Sequence, residues 1–231
     1  MVFLDRTIPV YFVLISVWII IIKSINSYYK KYNFKITTNL NSFFHAINVI
    51  FLYLIGINPI IVHYWSCAYY LLDLIMTLKE FKITIYDSGI LLHHFVTLYT
   101  LNYLCYLETY QYMFNGFFIS ELSNIPMYIV YHLKSTDYQN TIIINCIIII
   151  ETMGFIGLRL LYGGQILIII SFIDRMPLLM CVSAWIIFMI SFYWSCKLVN
   201  QIYKFSSIYK ITQTKIIQRI VKKQNLVKMI S

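Results

Sequence analysis

Charge is nearly absent from long stretches of this chain, and that constrains its fold more than any other feature. Only 12% of the 231 residues are Asp, Glu, Lys or Arg, and 60% are hydrophobic. A soluble domain carries about 25% charged residues. So few charges cannot build a water-facing surface of this size, whereas a bilayer accepts an apolar exterior. A span needs about 20 apolar residues to cross the hydrocarbon core. Candidate spans run from Pro9 to Ile22, Asn41 to Ile57, His63 to Leu78, Asp87 to Leu107, Tyr110 to Leu133 and Thr141 to Tyr162. The stretch from Gln165 to Tyr203 is too long for one helix. Gly163-Gly164 is expected to end the sixth span, and Asp174-Arg175-Met176-Pro177 to break the long stretch in two. That leaves a short segment up to Phe172 and a seventh span from Pro177 to Tyr203.

The basic residues fit that count. Lys23, Lys30, Lys31 and Lys35 follow the first span, Lys79 and Lys82 the third, Lys134 the fifth, and seven bases from Lys204 to Lys228 the seventh. The loops between carry no base, which is the positive-inside alternation with the C-terminus cytosolic and the N-terminus lumenal. The formal net charge of +9 is therefore read as topology rather than as a nucleic-acid surface. From Ile208 to Val227, apolar residues recur at helical spacing between lysines. This suits either a helix lying on an anionic leaflet or a disordered basic tail. Asp5 and Arg6 precede the first span and no small-residue cleavage site follows it, so it is expected to be retained. The five cysteines, Cys67, Cys105, Cys146, Cys181 and Cys196, lie in apolar runs without Cys-x-x-Cys spacing and read as small buried hydrophobes.

Polar residues inside the spans fall on helical faces. Asn41, His45 and Asn48 share one, as do Ser66, Asp73 and Thr77, with Tyr69 and Tyr70 beside them. His93, Thr97 and Thr100 share another, with His94 one step round and Asp87 two turns below it. Glu121, Asn124, Tyr128 and His132 follow on the fifth span, around Pro126. Asn145, Thr152 and Arg159 repeat every seven on the sixth, next to Glu151. An ionisable side chain at the bilayer centre costs about 2.5–3.5 kcal/mol on insertion scales, while an Ile or Leu returns only about 0.5. These stripes are therefore expected to face one internal chamber, lined also by Phe95, Tyr99, Phe117, Phe118 and Phe155. Asn41, Asn48, Asn145, Thr97 and Thr152 also fit interhelical hydrogen bonding, and Arg159 could pair with Glu151 or Glu121. Two adjacent imidazoles suit a base, nucleophile or ligand. They point about 100° apart on a helix, so no metal site is expected.

The motifs then acquire a family likeness. Tyr69-Tyr70-Leu71-Leu72-Asp73-Leu74 and Leu91-Leu92-His93-His94-Phe95-Val96-Thr97-Leu98 resemble the TLC-domain family, which includes ceramide synthases and small lipid-homeostasis proteins. In the same order, Ser42 with His45-Ala46 resembles the opening S-x-x-H-A. Ser120-Glu121-Leu122-Ser123 with Pro126 resembles an acid–Ser–Pro element, Phe155 and Arg159 an F-x-x-x-R, and Tyr193-Trp194 with Lys197 a Y-W-x-x-K. The resemblance spans roughly 39–203.

It implies an all-α integral membrane protein with seven transmembrane helices, six of them ringed around a central chamber. The divisions would be 1–38 (first helix and basic loop), 39–203 (six-helix domain) and 204–231 (basic tail). It implies membrane lipids and a fatty acyl chain as partners, no nucleic acid, no bound cofactor, and the endoplasmic reticulum as location. His45, Thr97, Glu121, Asn124 and Arg159 would line the lipid chamber. His93 and His94, with Asp73 and Asp87, would be catalytic if the chain transfers an acyl group from coenzyme A as ceramide synthases do. The synthases' H-D-x-x-D element is replaced here by Ser120-Glu121-Leu122-Ser123-Asn124-Ile125-Pro126, which favours the small lipid-homeostasis group. A seven-helix receptor shares the topology, but the chain lacks an N-P-x-x-Y in the last span and a D/E-R-Y after the third.

Overall fold

A computed structural model describes residues 2–28, 34–79, 85–104, 110–135, 141–172 and 177–203. Among them there are only helices and turns, with no strand. Helices α1 (Val2–Tyr28), α2 (Phe34–Leu54), α3 (Pro59–Lys79), α4 (Ile85–Leu104) and α5 (Tyr110–Ser135) come first. Then α6 (Thr141–Gly154), a π-helical segment (Phe155–Tyr162) and α7 (Gly163–Ser171) run on without interruption. Helix α8 (Leu178–Tyr203) closes the chain's described part. The basic tail, Cys105 and the loop lysines Lys30, Lys31 and Lys82 lie outside the described residues.

Four of these rods are long and apolar enough to cross a bilayer: Pro9–Tyr28, Pro59–Lys79, Ile142–Ser171 and Leu178–Tyr203. Large apolar side chains cover their outsides, for example Phe12, Ile20, Ile142, Met153 and Leu178. Water does not favour such a surface; lipid does. The chain is an all-helical integral membrane protein. Helices α2, α4 and α5 carry more polar residues, which dilute their hydropathy and turn inward.

The sixth span departs from expectation. Gly163-Gly164 does not end it. Each glycine costs about 1 kcal/mol in a helix, but in lipid a broken helix leaves backbone groups with no water to satisfy them, at several kcal/mol each. The helix therefore continues for 30 residues, Ile142–Ser171. The register changes within it: Gly163 N–H donates to the carbonyl of Leu158, five residues back. Gly164 lets the Phe188 ring of α8 come close, since a Cβ there would meet it at 3.4 Å. The sixth rod ends instead at Ser171, and Asp174-Arg175-Met176, where the break was expected, lie outside the described residues.

The turn between α2 and α3 is encoded locally. Gly56 adopts φ 71°, the left-handed conformation that ends helices. Ile57 N–H then reaches back to the Leu52 carbonyl at 3.0 Å. Asn58 caps α3 by accepting from Ile60 N–H at 2.9 Å, and Pro59 takes the first helical position.

Packing is specific. Helix α2 lies along α5 and also touches α3; α3 lies along α4; α5 packs on α6, the π segment and α7. Helix α1 rests on α3 and α2. Its anchor is Trp18, fully buried between Phe44, His45, Trp65 and Tyr69, with Nε1 donating to the Trp65 carbonyl at 3.1 Å. Of the cysteines, Cys67 is buried, but Cys146 and Cys196 are exposed on outward faces. Their apolar runs face lipid rather than a core, a distinction composition cannot make.

Candidate functional site

The inward stripes of α2, α3, α4, α5 and the π segment meet, but they sort into two neighbouring groups rather than one chamber. The first is a packed polar core. Tyr70 donates to Glu121 Oε1 at 2.5 Å, and His45 Nδ1 approaches the same oxygen at 3.7 Å. His45 stacks on Tyr69 with ring centres 4.1 Å apart, and Tyr69 donates to Ser42 Oγ at 2.8 Å. His45, Tyr69, Asp73 and Glu121 are each at most 2% exposed. His94 Nδ1 lies 3.0 Å from Asp73 Oδ2, but the nitrogen makes no hydrogen bond of acceptable direction. The contact is close and poorly aligned.

The second group borders a cavity of about 120 Å³. Its polar wall comprises His93, Thr97, Thr100, Ser120, Asn124, Arg159 and Ser191, with Tyr70 shared between the two groups. Its apolar wall includes Leu101, Phe117, Ile166, Leu167, Ile170 and Phe188. Five rods therefore contribute: α3, α4, α5, the continuous sixth and α8.

Arg159 dominates the polar wall. The π segment carries it, and such irregular turns concentrate at functional sites. Its Nε donates to Ser123 Oγ at 2.6 Å. Nη2 donates to the Ser120 carbonyl and Asn124 Oδ1, both at 2.7 Å, and Nη1 reaches Ser191 Oγ at 3.5 Å. Phe155 lies under the guanidinium, 4.5 Å from ring centre to Cζ. Neither expected acid pairs with it: the described ion pairs are His45–Glu121 and His94–Asp73. Glu121 is turned toward α2 and α3, and Glu151 lies two turns away on the sixth helix.

The two histidines serve different groups. His94 turns to Asp73 in the polar core. His93 turns to the cavity, its ring 5.6 Å from that of Trp194 on α8. Of the other expected site residues, Thr97, Asn124 and Arg159 line the cavity, while His45, Asp73, His94 and Glu121 are packed behind it. Asp87 sits on α4, but its side chain lies outside the described residues. Phe117 lines the cavity as expected. Phe155 instead supports Arg159, Phe118 stacks on Tyr53 at 4.0 Å, and Phe95 is exposed. Asn48 and Thr152 are not interhelical ties, since each bonds a carbonyl four residues back in its own helix. Hydrogen-bonded ties between α2 and α5 include Asn39, donating to the Tyr128 carbonyl at 3.0 Å, and Tyr53, donating to Asn115 Oδ1 at 3.3 Å.

No family model, curated protein or solved structure matches the chain. Among the described residues, no three His, Cys, Asp or Glu side chains converge as a metal site would require. Ser191 is not singled out by the sequence: a serine on an apolar helix carries no signal of its own, and it matters because Arg159 reaches its hydroxyl, whereas Ser120 meets Arg159 through its backbone carbonyl.

Proposed function

We propose that this is a multi-pass membrane protein of lipid homeostasis with a TLC-like ring, and that it binds an acyl chain or a lipid in the cavity. The neighbour relations support the ring. Helix α2 touches α3, α3 touches α4, and α4 meets α8 through His93 and Trp194. Helix α8 meets the sixth rod through Ser191 and Arg159, and that rod returns by α5 to α2. The cycle has six members, with α1 outside it. The reading places the N-terminus in the lumen of the endoplasmic reticulum and the tail in the cytosol.

One observation carries the lipid reading. The cavity is lined at once by aliphatic side chains and by a buried arginine with hydroxyls around it. An apolar lining with a few convergent polar groups is the usual form of a ligand site, and here the apolar part suits hydrocarbon.

The acyltransferase reading is weaker on geometry. A general base needs reach to the reacting group and a partner to orient its ring. His93 borders the cavity without a carboxylate among the described residues, whereas His94 has Asp73 but does not border the cavity. Purified protein with acyl-coenzyme A and sphingoid or glycerol acceptors separates the two. The binding reading expects co-purified lipid and no product. Turnover abolished by His93→Ala or His94→Ala would replace it with the enzyme. Neither lipid nor turnover would reject both.

A further inference from the structure

Arg159 is a buried cation whose bonding partners are all neutral. It is 4% exposed and bound by two serine hydroxyls, an amide oxygen and a backbone carbonyl. A guanidinium does not lose its proton in proteins, so its charge must be met by another group. The described acids nearby form no ion pair with it: Glu121, close enough to act on it through space, bonds Tyr70 and faces His45, and Asp73 faces His94. Its donors are also incompletely used. Of five N–H groups, three have partners within 2.7 Å, and Nη1 has only the long 3.5 Å contact to Ser191.

Across the cavity, α4 presents polar atoms with no partner. Thr97 Oγ1, Thr100 Oγ1 and His93 Nδ1 are all buried without a hydrogen bond. Thr97 and Thr100 are 6% and 7% exposed, and both line the same void as Arg159. Buried polar groups are rarely left unpaired, because each costs about 1–3 kcal/mol. A cation with no anion in contact and a donor to spare thus shares a cavity with unsatisfied hydroxyls.

We propose that this cavity holds the carboxylate of a single-chain lipid, a long-chain fatty acid, with its head between Arg159 on one side and Thr97 and Thr100 on the other. This rests on the lipid-binding reading above and gives the ligand its charge and chain number. A carboxylate oxygen accepts a charge-assisted bond from Nη1, the guanidinium nitrogen with no close partner, and the remaining oxygen lone pairs accept from the threonines. Size argues for one chain. A void of about 120 Å³ is near the roughly 150 Å³ that accommodates benzene in an engineered apolar cavity. It takes a head and the first methylenes, not the head of a two-chain phospholipid. The tail then follows the aliphatic wall of Ile166, Leu167 and Ile170.

The test uses the purified full chain in detergent and compares hexadecanoate, its methyl ester and hexadecyl phosphate in one binding assay. Hexadecanoate is expected to bind about tenfold or more tighter than the ester, the factor one charge-assisted contact supplies. Arg159→Gln should abolish that preference while ester binding persists. Since Arg159 also ties α5 to the sixth helix, Thr97→Val with Thr100→Val gives a second test that spares its own bonds. That double variant should weaken hexadecanoate several-fold. Equal binding of acid and ester would overturn the inference and leave the lipid-binding reading standing, as would a preference for hexadecyl phosphate. No binding of any of the three would overturn both.

Discussion

Tyr70→Phe removes one hydroxyl from the centre of the polar core, and its cost follows from what that hydroxyl holds. The phenol donates to Glu121 Oε1 at 2.5 Å. The other support of that oxygen is His45 at 3.7 Å, and Oε2 has no partner at all. Without Tyr70 the buried carboxyl group keeps only the distant imidazole. Hydrogen bonds to charged groups contribute about 1.5–3 kcal/mol. Tyr69→Phe is the internal control. Its hydroxyl is equally buried but its well-formed bond goes to a neutral serine hydroxyl at 2.8 Å, with the Asp73 carboxyl group near but not in comparable geometry. Such neutral bonds in membrane proteins average about 0.6 kcal/mol. At roughly 2–4 °C per kcal/mol for a chain of this size, Tyr70→Phe should lower the unfolding midpoint by about 3–12 °C. On the same scale Tyr69→Phe should lower it by about 1–2 °C. Thermal unfolding in detergent, followed by tryptophan fluorescence at one scan rate, measures both. Glu121→Gln completes a double-mutant cycle, in which Tyr70 and Glu121 should couple by about 1 kcal/mol or more. Equal losses for the two tyrosines, or coupling near zero, would refute the polar core as described.

Three further outcomes are expected. Trp18→Ala should destabilise by about 3–5 kcal/mol, the range for removing a large buried aromatic, and free α1 from α2 and α3; an unchanged midpoint would show that α1 is not docked through this ring. In sealed microsomes a tag after Ser231 should be digested by protease and a tag in the turn at 55–58 protected, with the reverse pattern contradicting the proposed orientation. A peptide of residues 208–227 should gain helix on vesicles rich in anionic lipid and lose binding as salt rises; equal binding to neutral vesicles would leave a plain basic tail.

Much of this architecture was legible because the bilayer sets simple rules. Apolar length located the rods, and the insertion cost of Asp73, Glu121 and Arg159 put them inside. Periodicity fixes a face, however, and not the neighbour that face meets. It shows that His93 and His94 diverge, but not which groups they meet, nor that Arg159 takes serines and an amide rather than an acid. The glycine pair misled for a related reason. Gly163-Gly164 signals a stop in water, but in lipid the unsatisfied backbone costs more than the weak helix propensity, and the helix runs on. The exposed Cys146 and Cys196 show the same limit, since an apolar residue in a membrane helix faces lipid as readily as a core.

Lipid occupancy of the cavity tests the central claim most directly. Ala184 lines the void on α8 and is small, so Ala184→Phe should fill much of about 120 Å³ while leaving Arg159 and its partners in place. Native mass spectrometry of the protein released from mild detergent should show a bound single-chain lipid on the wild type. The Ala184→Phe protein should fly bare, at an unchanged unfolding midpoint. Equal lipid adducts on both would mean that the lipid sits on the outer surface and that the cavity is not its site.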